Sequence, residues 1–320
     1  MKVLIIEPCF VNFSGYQRSF PIGQSLSKKN VKVDLLVSSN SNFTLFIKKT
    51  EINKNFSRYE LPRIQIHSYV NGRILRGVLA LFFGIFGGYD IIFARVPAQF
   101  ESNIPAFFLK LLGKKVVLDW DDYWMGSPIF ERFTLIKKYI KFCEMRAPKF
   151  FGNLVVISDF LGNLAKKRGA RKIFKLINGI NSDQFRIRDK NESFEKLKLD
   201  KNKKYLLCIG STYSRERTIL LFEALEQIRK LNPEVRLICN FNLEKKIKEQ
   251  NLEGKISKDC LENTVALGYL SYEDLERCFS ICSAALFLQG QTEDEMACYP
   301  VRVSTYLSGE LVIIMNDTGS

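Results

Sequence analysis

Short apolar runs alternate with amphipathic stretches along nearly the whole chain. The first run, residues 2–8 (KVLIIEP), is apolar almost without interruption, the pattern of a strand covered on both faces in a parallel sheet. A loop over 9–15, a helix over 16–29 and a strand over 31–37 complete a βαβ opening. Residues 39–62 are polar, basic and weakly periodic, and predict a mobile excursion facing an acceptor. Further strands are predicted over 64–70, 89–96, 115–119, 153–158 and 172–177. The helices between them are predicted over 73–86, 104–112, 132–146 and 159–168. Residues 186–203 (RIRDKNESFEKLKLDKNK) are charged and nearly free of large apolar groups, which reads as a linker.

The alternation then restarts, with strands over 205–209, 235–239, 264–267, 284–288 and 311–315. Helices are expected over 219–231, 243–251, 271–280 and 301–307, and a polar basic loop over 210–218 (GSTYSRERT). In the last stretch an acidic loop (Glu293, Asp294, Glu295) follows the strand, Pro300 opens a helix and Gly309 closes it. Such a loop, at a strand's carboxyl end and ahead of a helix N-terminus, suits an anion; the plain alternative is a βαβ unit with a solvated acidic loop. The pattern predicts an α/β protein of two Rossmann-like domains facing a cleft, 1–185 and 204–320, joined by the linker 186–203.

Composition narrows the partners. The chain has 320 residues, enough for two medium domains, and 48 basic against 34 acidic side chains give it a net charge of +14. That excess implies an anionic partner: nucleic acid, a phosphorylated substrate or an acidic membrane surface. No nucleic-acid module or basic–aromatic strand pattern is present, so nucleic acid is set aside. The eight cysteines are scattered without a CxxC pair, several inside strand-like runs, which predicts reduced, packed thiols and no metal site. The start of the chain lacks a signal-peptide pattern, and the longest uncharged apolar run, 77–88, is too short to span a bilayer. A cytoplasmic protein, soluble or peripheral on the inner face of the membrane, is expected.

Candidate chemistry gathers at predicted strand ends. The first loop holds one glycine, Gly15, where a dinucleotide fold wants G-x-G-x-x-G, so an NAD-dependent dehydrogenase is disfavoured. Gly15 and Arg18 together would admit a phosphate or sugar, or form a plain turn. Residues 119–124 (DWDDYW) hold both tryptophans of the chain. Their carboxylates suit sugar hydroxyls, general-base work or a metal; the alternative is a capped helix start with packed aromatics. The basic helix over 132–146 either lies on anionic lipid or turns a solvated face outward. His67, the single histidine, sits mid-strand and reads as structural.

The order of these segments resembles the GT-B glycosyltransferases, closest to glycosyltransferase family 4. The likeness runs through VVISDFLGNLAKKRGARKIFKLINGINSDQF, LLCIGSTYSRERTILLFEAL, LGYLSYEDLERCFSICSAALFLQ and YPVRVSTYLSGELVII. It covers nearly the whole chain and is most specific at 155–185 and 264–314, with NGIN at 178–181 where the family usually has Asn-Gly-Val-Asp. The resemblance implies retaining transfer of a sugar from a nucleotide-diphosphate sugar to a glycan or lipid-linked acceptor, with neither metal nor other cofactor. It implies that Arg215, Arg217 and Arg302 neutralise the diphosphate, Thr305 meets the ribose and Glu295 the donor sugar, with Gly15, Gly210 and Val303 lining the donor side. Asp119 and Asp122 would meet the acceptor as catalytic groups, beside Arg18, Arg95, Asp121 and Trp124.

The chain departs from the family in three places. The paired glutamates fall on Ala297 and Thr305, the family's N-terminal histidine is not at His67, and the closing helix that crosses back is missing, which implies a shortened product. Two rivals therefore stand beside the transferase: a sugar-nucleotide epimerase on the same architecture, and a degenerate, non-catalytic binding protein.

Overall fold

The alternation along the first apolar run decides two cores at once. In a computed structural model, which describes residues 1–11, 14–41, 43–64, 72–127, 130, 133–179, 185–210 and 214–316, that run is β1 (Lys2–Phe10). Leu4 and Ile6 point into one core, Val3 and Ile5 into another, as a period of two requires. The chain divides into two units, Met1–Gly179 with Thr292–Tyr299, and Ile180–Gln291 with Pro300–Gly319.

In the first unit, β1 leads through α1 (Ser14–Lys28) to β2 (Lys32–Ser38), β3 (Phe43–Thr44), β4 (Lys48–Asn53), β5 (Phe56–Leu61) and β6 (Arg63–Ile64). Then come α2 (Arg73–Phe86), β7 (Ile91–Arg95), α3 (Phe100–Leu111), β8 (Val116–Trp120) and a 3₁₀ turn at Trp124–Gly126. α4 (Thr134–Phe151), β9 (Asn153–Val156), α5 (Asp159–Lys167) and β10 (Lys172–Lys175) complete the run. The main sheet has the order β10-β9-β8-β7-β1-β2-β5-β4, parallel except for β4 against β5, with Ile5 opposite both Leu35 and Phe93. Helices α2 to α5 cover one face, where Ala80, Leu109, Phe151 and Leu161 meet Leu4, Ile92 and Leu118. α1 covers part of the other through Tyr16 and Phe20.

One expectation changes here. Residues 39–62 are not a loose excursion: β5 pairs with β2, burying Phe56 and Leu61, and β4 turns back against it. Pairing satisfies a row of backbone groups that β2 would otherwise leave bare, a gain no local periodicity reveals. The expected strand over 64–70, with His67, lies outside the described residues apart from Ile64 in its short pair with Phe43.

The second unit comprises α6 (Lys190–Leu197), β11 (Lys204–Cys208), α7 (Arg215–Leu231), β12 (Val235–Cys239), α8 (Leu243–Glu249) and α9 (Lys258–Glu262). It continues with β13 (Thr264–Ala266), α10 (Tyr272–Ile281) and β14 (Cys282–Phe287). The chain next forms α11 (Glu293–Ala297), which belongs to the first unit, then returns for α12 (Val301–Ser308) and β15 (Val312–Met315). The sheet is parallel throughout, in the order β13-β12-β11-β14-β15.

α6 occupies what the sequence reads as linker. Asp189 caps it by accepting from Glu192 N at 2.9 Å, and its single aromatic residue, Phe194, is buried beside Tyr205. One buried ring suffices to dock a charged helix. α7 starts at Arg215, not in a long loop, because Ser214 caps it. The acidic segment is likewise helical, as α11. The cysteines are free thiols, six of them buried.

Candidate functional site

In an open parallel sheet, ligands meet the carboxyl ends of the strands. In the first unit β7, β1 and β8 deliver Arg95, Glu7 and Asp119 to that edge, and α1 supplies Arg18. The four side chains are buried and bind one another. Arg18 donates from Nε and Nη2 to the two oxygens of Asp119, each at 2.7 Å, and from Nη1 to Asn178 Oδ1 at 3.0 Å. Arg95 donates to Glu7 Oε2 at 2.8 Å and to Asp121 Oδ2; Ser19 Oγ also donates to Glu7, at 2.6 Å. Asn178 Nδ2 donates to the Tyr299 carbonyl at 2.8 Å, fastening the first residue of NGIN to this network.

Asp119 is 0% exposed and both its oxygens are occupied by Arg18, so this pair meets no acceptor directly: Asp119 positions Arg18. Burial pushes its carboxyl above the usual range, and the guanidinium pulls it back. Spare capacity lies one step outward. Asp121 Oδ1 and Arg95 Nε are buried and have no hydrogen-bond partner among the described residues. Burial, reinforced by the charge of Asp121, pushes Asp122 up to about 6 against the pull of Arg95, and Cys298 Sγ stands 3.8 Å from its Oδ1. A carboxyl raised in this way can exchange a proton with a hydroxyl group.

Trp124 stacks on Phe130 at 5.3 Å. The turn it opens is held by Glu144, which accepts from the backbone N–H groups of Trp124 and Met125 at 2.9 and 3.1 Å. Burial pushes Glu144 up to about 7, against the pull of those two amides. Gly15 lies in the first turn of α1, the helix that carries Arg18. Glu7, Glu144 and Asn178 are the members of this site that sequence reasoning missed. Glu7 had a signal, since a lone carboxylate inside an apolar strand must find buried partners.

The second unit has its own cationic edge. Gly210 follows β11 with φ +100°, and its N–H donates to Asn240 Oδ1 at 2.6 Å. Arg302, in the first turn of α12, donates to the Ile209 carbonyl at 3.1 Å while its guanidinium lies 5.1 Å over the Phe287 ring. A Cβ on residue 210 would stand 2.5 Å from Arg302 Nη1, so only glycine satisfies both the backbone and the neighbour. Tyr306 Oη accepts from Ile209 N at 2.8 Å, tying α12 to the end of β11.

Arg215 and Arg217 occupy the first turn of α7, and Arg215 Nε donates to the Gln250 carbonyl at 3.0 Å. Lys246 of α8, buried with Nζ 5.4 Å from the Phe241 ring, adds a cation that sequence reasoning missed. Burial, with the charge of Arg217 next, holds its amine below the usual lysine range. Cations in the first turn of a helix favour a bound anion. The middle of the β11–α7 connection, 211–213, lies outside the described residues.

Three expected donor residues bond or pack within their own segments. Thr305 Oγ1 is turned into its own helix, donating to Val301 O at 3.0 Å, and Val303 packs on the core while its N–H donates to Pro300 O at 3.1 Å. Glu295 accepts from Thr292 Oγ1 at 2.8 Å on α11, within the first unit. Among the described residues no group of three or more His, Cys, Asp or Glu is placed to hold a metal ion.

No protein-family model and no curated protein matches the chain. Solved structures do. The sucrose-phosphate synthase of Thermosynechococcus elongatus is 12% identical, with a TM-score of 0.65 over 98% of this chain and 81% of that one. WaaG, a glycosyltransferase involved in lipopolysaccharide biosynthesis, is 15% identical, with a TM-score of 0.60 over 98% and 80%. The UDP-GlcNAc 2-epimerase of Methanocaldococcus jannaschii is 14% identical, with a TM-score of 0.56 over 98% and 83%. Such likeness establishes the fold: the chain has the GT-B fold.

Proposed function

We propose that this GT-B chain is a glycosyltransferase of the family 4 type, moving a sugar from a nucleotide-diphosphate sugar to a glycan or lipid-linked acceptor, with retention and without a metal. It acts in the cytoplasm, peripheral on the inner face of the membrane. The observation that carries the reading is Arg302 held over Gly210 at the end of β11, beside a helix that begins with Arg215 and Arg217. The leaving nucleotide diphosphate gains charge as the glycosidic bond breaks. Guanidiniums already in place stabilise that charge without reorganising. On the acceptor side Asp122 exchanges the hydroxyl proton, Asp121 accepts from the sugar, Trp124 supplies an apolar face, and the Arg18–Asp119 pair holds the edge rigid.

The test is thermal stabilisation of the purified chain by UDP, GDP, CMP and dTDP, then by their sugar conjugates. A ligand held only by the folded state at about a hundred times its Kd adds about 2.7 kcal/mol. The expected result is a rise in Tm with one nucleotide class, abolished in Arg302→Ala. No rise with any of them, from a folded sample, refutes the reading.

A second reading, a nucleotide-sugar binding protein without catalysis, is favoured by one observation: where the resemblance wants two glutamates stand buried Ala297 and a Thr305 turned inward. Nucleotide stabilisation without release of free nucleotide diphosphate in the presence of acceptors supports it.

A further inference from the structure

The outer faces of α2 and α3 have no part in the transfer chemistry. From Gly77 to the end of α2 there is no charged residue. The helix exposes Ile74, Val78, Phe82 and Phe86, spaced by four along one side, with Phe82 55% and Phe86 75% exposed. Where it meets α3 it carries glycine instead: a Cβ on Gly84 would stand 2.4 Å from Leu109 Cδ1 of α3, so the two helices lie closely side by side. α3 adds Phe108 and Leu111 to the exposed apolar surface. A helix apolar round its whole circumference belongs in a core or against lipid, and a patch of this kind facing water marks a docking surface.

Charge selects the occupant. Lys110, Lys114 and Lys115 stand at the end of the patch, and Lys114 Nζ donates to the Ile85 carbonyl at 3.5 Å, next to Phe86. Glu101, the one acid in the two helices, is buried and paired with Arg76 at 2.8 Å and Arg73 at 3.4 Å. Asp90, just past α2, accepts from Lys2 N at 2.7 Å. The surface therefore offers rings and cations without an exposed carboxylate on either helix. A second copy would set lysine against lysine; an anionic bilayer accepts both features.

We infer that the α2–α3 face docks on an anionic lipid surface, its aromatic side chains entering the headgroup–acyl boundary and its lysines meeting lipid phosphates. The inference rests on the membrane location proposed above and not on the transfer chemistry. Among the described residues no helix is long and apolar enough to cross a membrane, so the contact is a face and not a span.

Co-sedimentation with vesicles tests it. The full chain is expected to pellet with phosphatidylcholine–phosphatidylglycerol vesicles, to stay in solution with phosphatidylcholine alone, and to release in high salt. Phe82→Ser with Phe86→Ser lowers binding by about tenfold or more, and Lys110→Ala with Lys114→Ala by about tenfold or more. Both variants keep the nucleotide-dependent rise in Tm, so loss of vesicle binding is separable from failure of the transferase reading. Hydrogen exchange of the unaltered chain on vesicles needs no variant, and is expected to protect 73–86 and 100–111. The inference falls if the unaltered chain ignores anionic vesicles, if both variants bind as before, or if Phe86→Ser instead dissolves a concentration-dependent dimer.

Discussion

Arg18→Met removes a guanidinium while keeping most of the apolar stem that packs around it. In the folded unit Asp119 is 0% exposed and takes both of its charge-assisted hydrogen bonds from Arg18 at 2.7 Å. Breaking one side of a buried ion pair costs about 3–5 kcal/mol, because the other charge stays behind. The carboxylate has one escape, protonation, which at pH 7 costs about 1.4 kcal/mol for each pH unit above an aspartate's ordinary value near about 3.9. That caps the loss at about 4 kcal/mol at pH 7. In the variant the folded pKa of Asp119 lies above its unfolded value, so the unfolded chain releases the proton first. The penalty therefore grows as pH rises through the unfolded value and shrinks to about 1–2 kcal/mol near pH 5. The lost hydrogen bond from Arg18 to Asn178, 3.0 Å long, adds about 1 kcal/mol at either pH.

Both tryptophans, Trp120 and Trp124, belong to the first unit, so urea unfolding followed by tryptophan fluorescence reports on the unit that holds the pair. The companion Arg18→Met/Asp119→Leu removes both charges and is expected to recover most of the loss. A variant within about 1 kcal/mol of the parent at pH 7, or a loss that does not shrink on acidification, would refute the reasoning.

Two further expectations follow from the candidate sites. With Asp122 pushed up to about 6, the proposed transfer, if Asp122 takes the acceptor proton, is expected to decline as pH falls through that value. Asp122→Asn is expected to lower kcat by about 10²–10⁴ and to erase this limb of the pH profile; a profile with the limb intact assigns it to another group. Gly210→Ala sets a side chain at φ +100° and 2.5 Å from Arg302 Nη1. It is expected to cost about 1–3 kcal/mol and to remove nucleotide stabilisation, read from Tm with and without ligand; full retention of the ligand shift would show that Arg302 has no role in holding the diphosphate.

Much of the architecture was legible in the residues themselves, since strands covered on both faces must be apolar throughout and the helices between them must be amphipathic. Periodicity found α2 and β12, and turn chemistry found α12 between Pro300 and Gly309. It also placed Arg302 at a helix start and DWDDYW at a strand end. Those are local properties, carried by neighbours in the chain. What tertiary structure decided is which distant groups meet. Arg18 finds Asp119 across 101 positions and Asn178 across 160, because the strand order β10-β9-β8-β7-β1 brings the carboxyl ends of β8 and β10 to the same sheet edge as the start of α1. The same packing drew residues 48–61 into the sheet, docked α6 through Phe194, placed α11 with the first unit and turned Thr305 into its own helix. A buried charge or an unpaired strand edge is resolved only by a partner far along the chain, and local patterning carries no record of that partner.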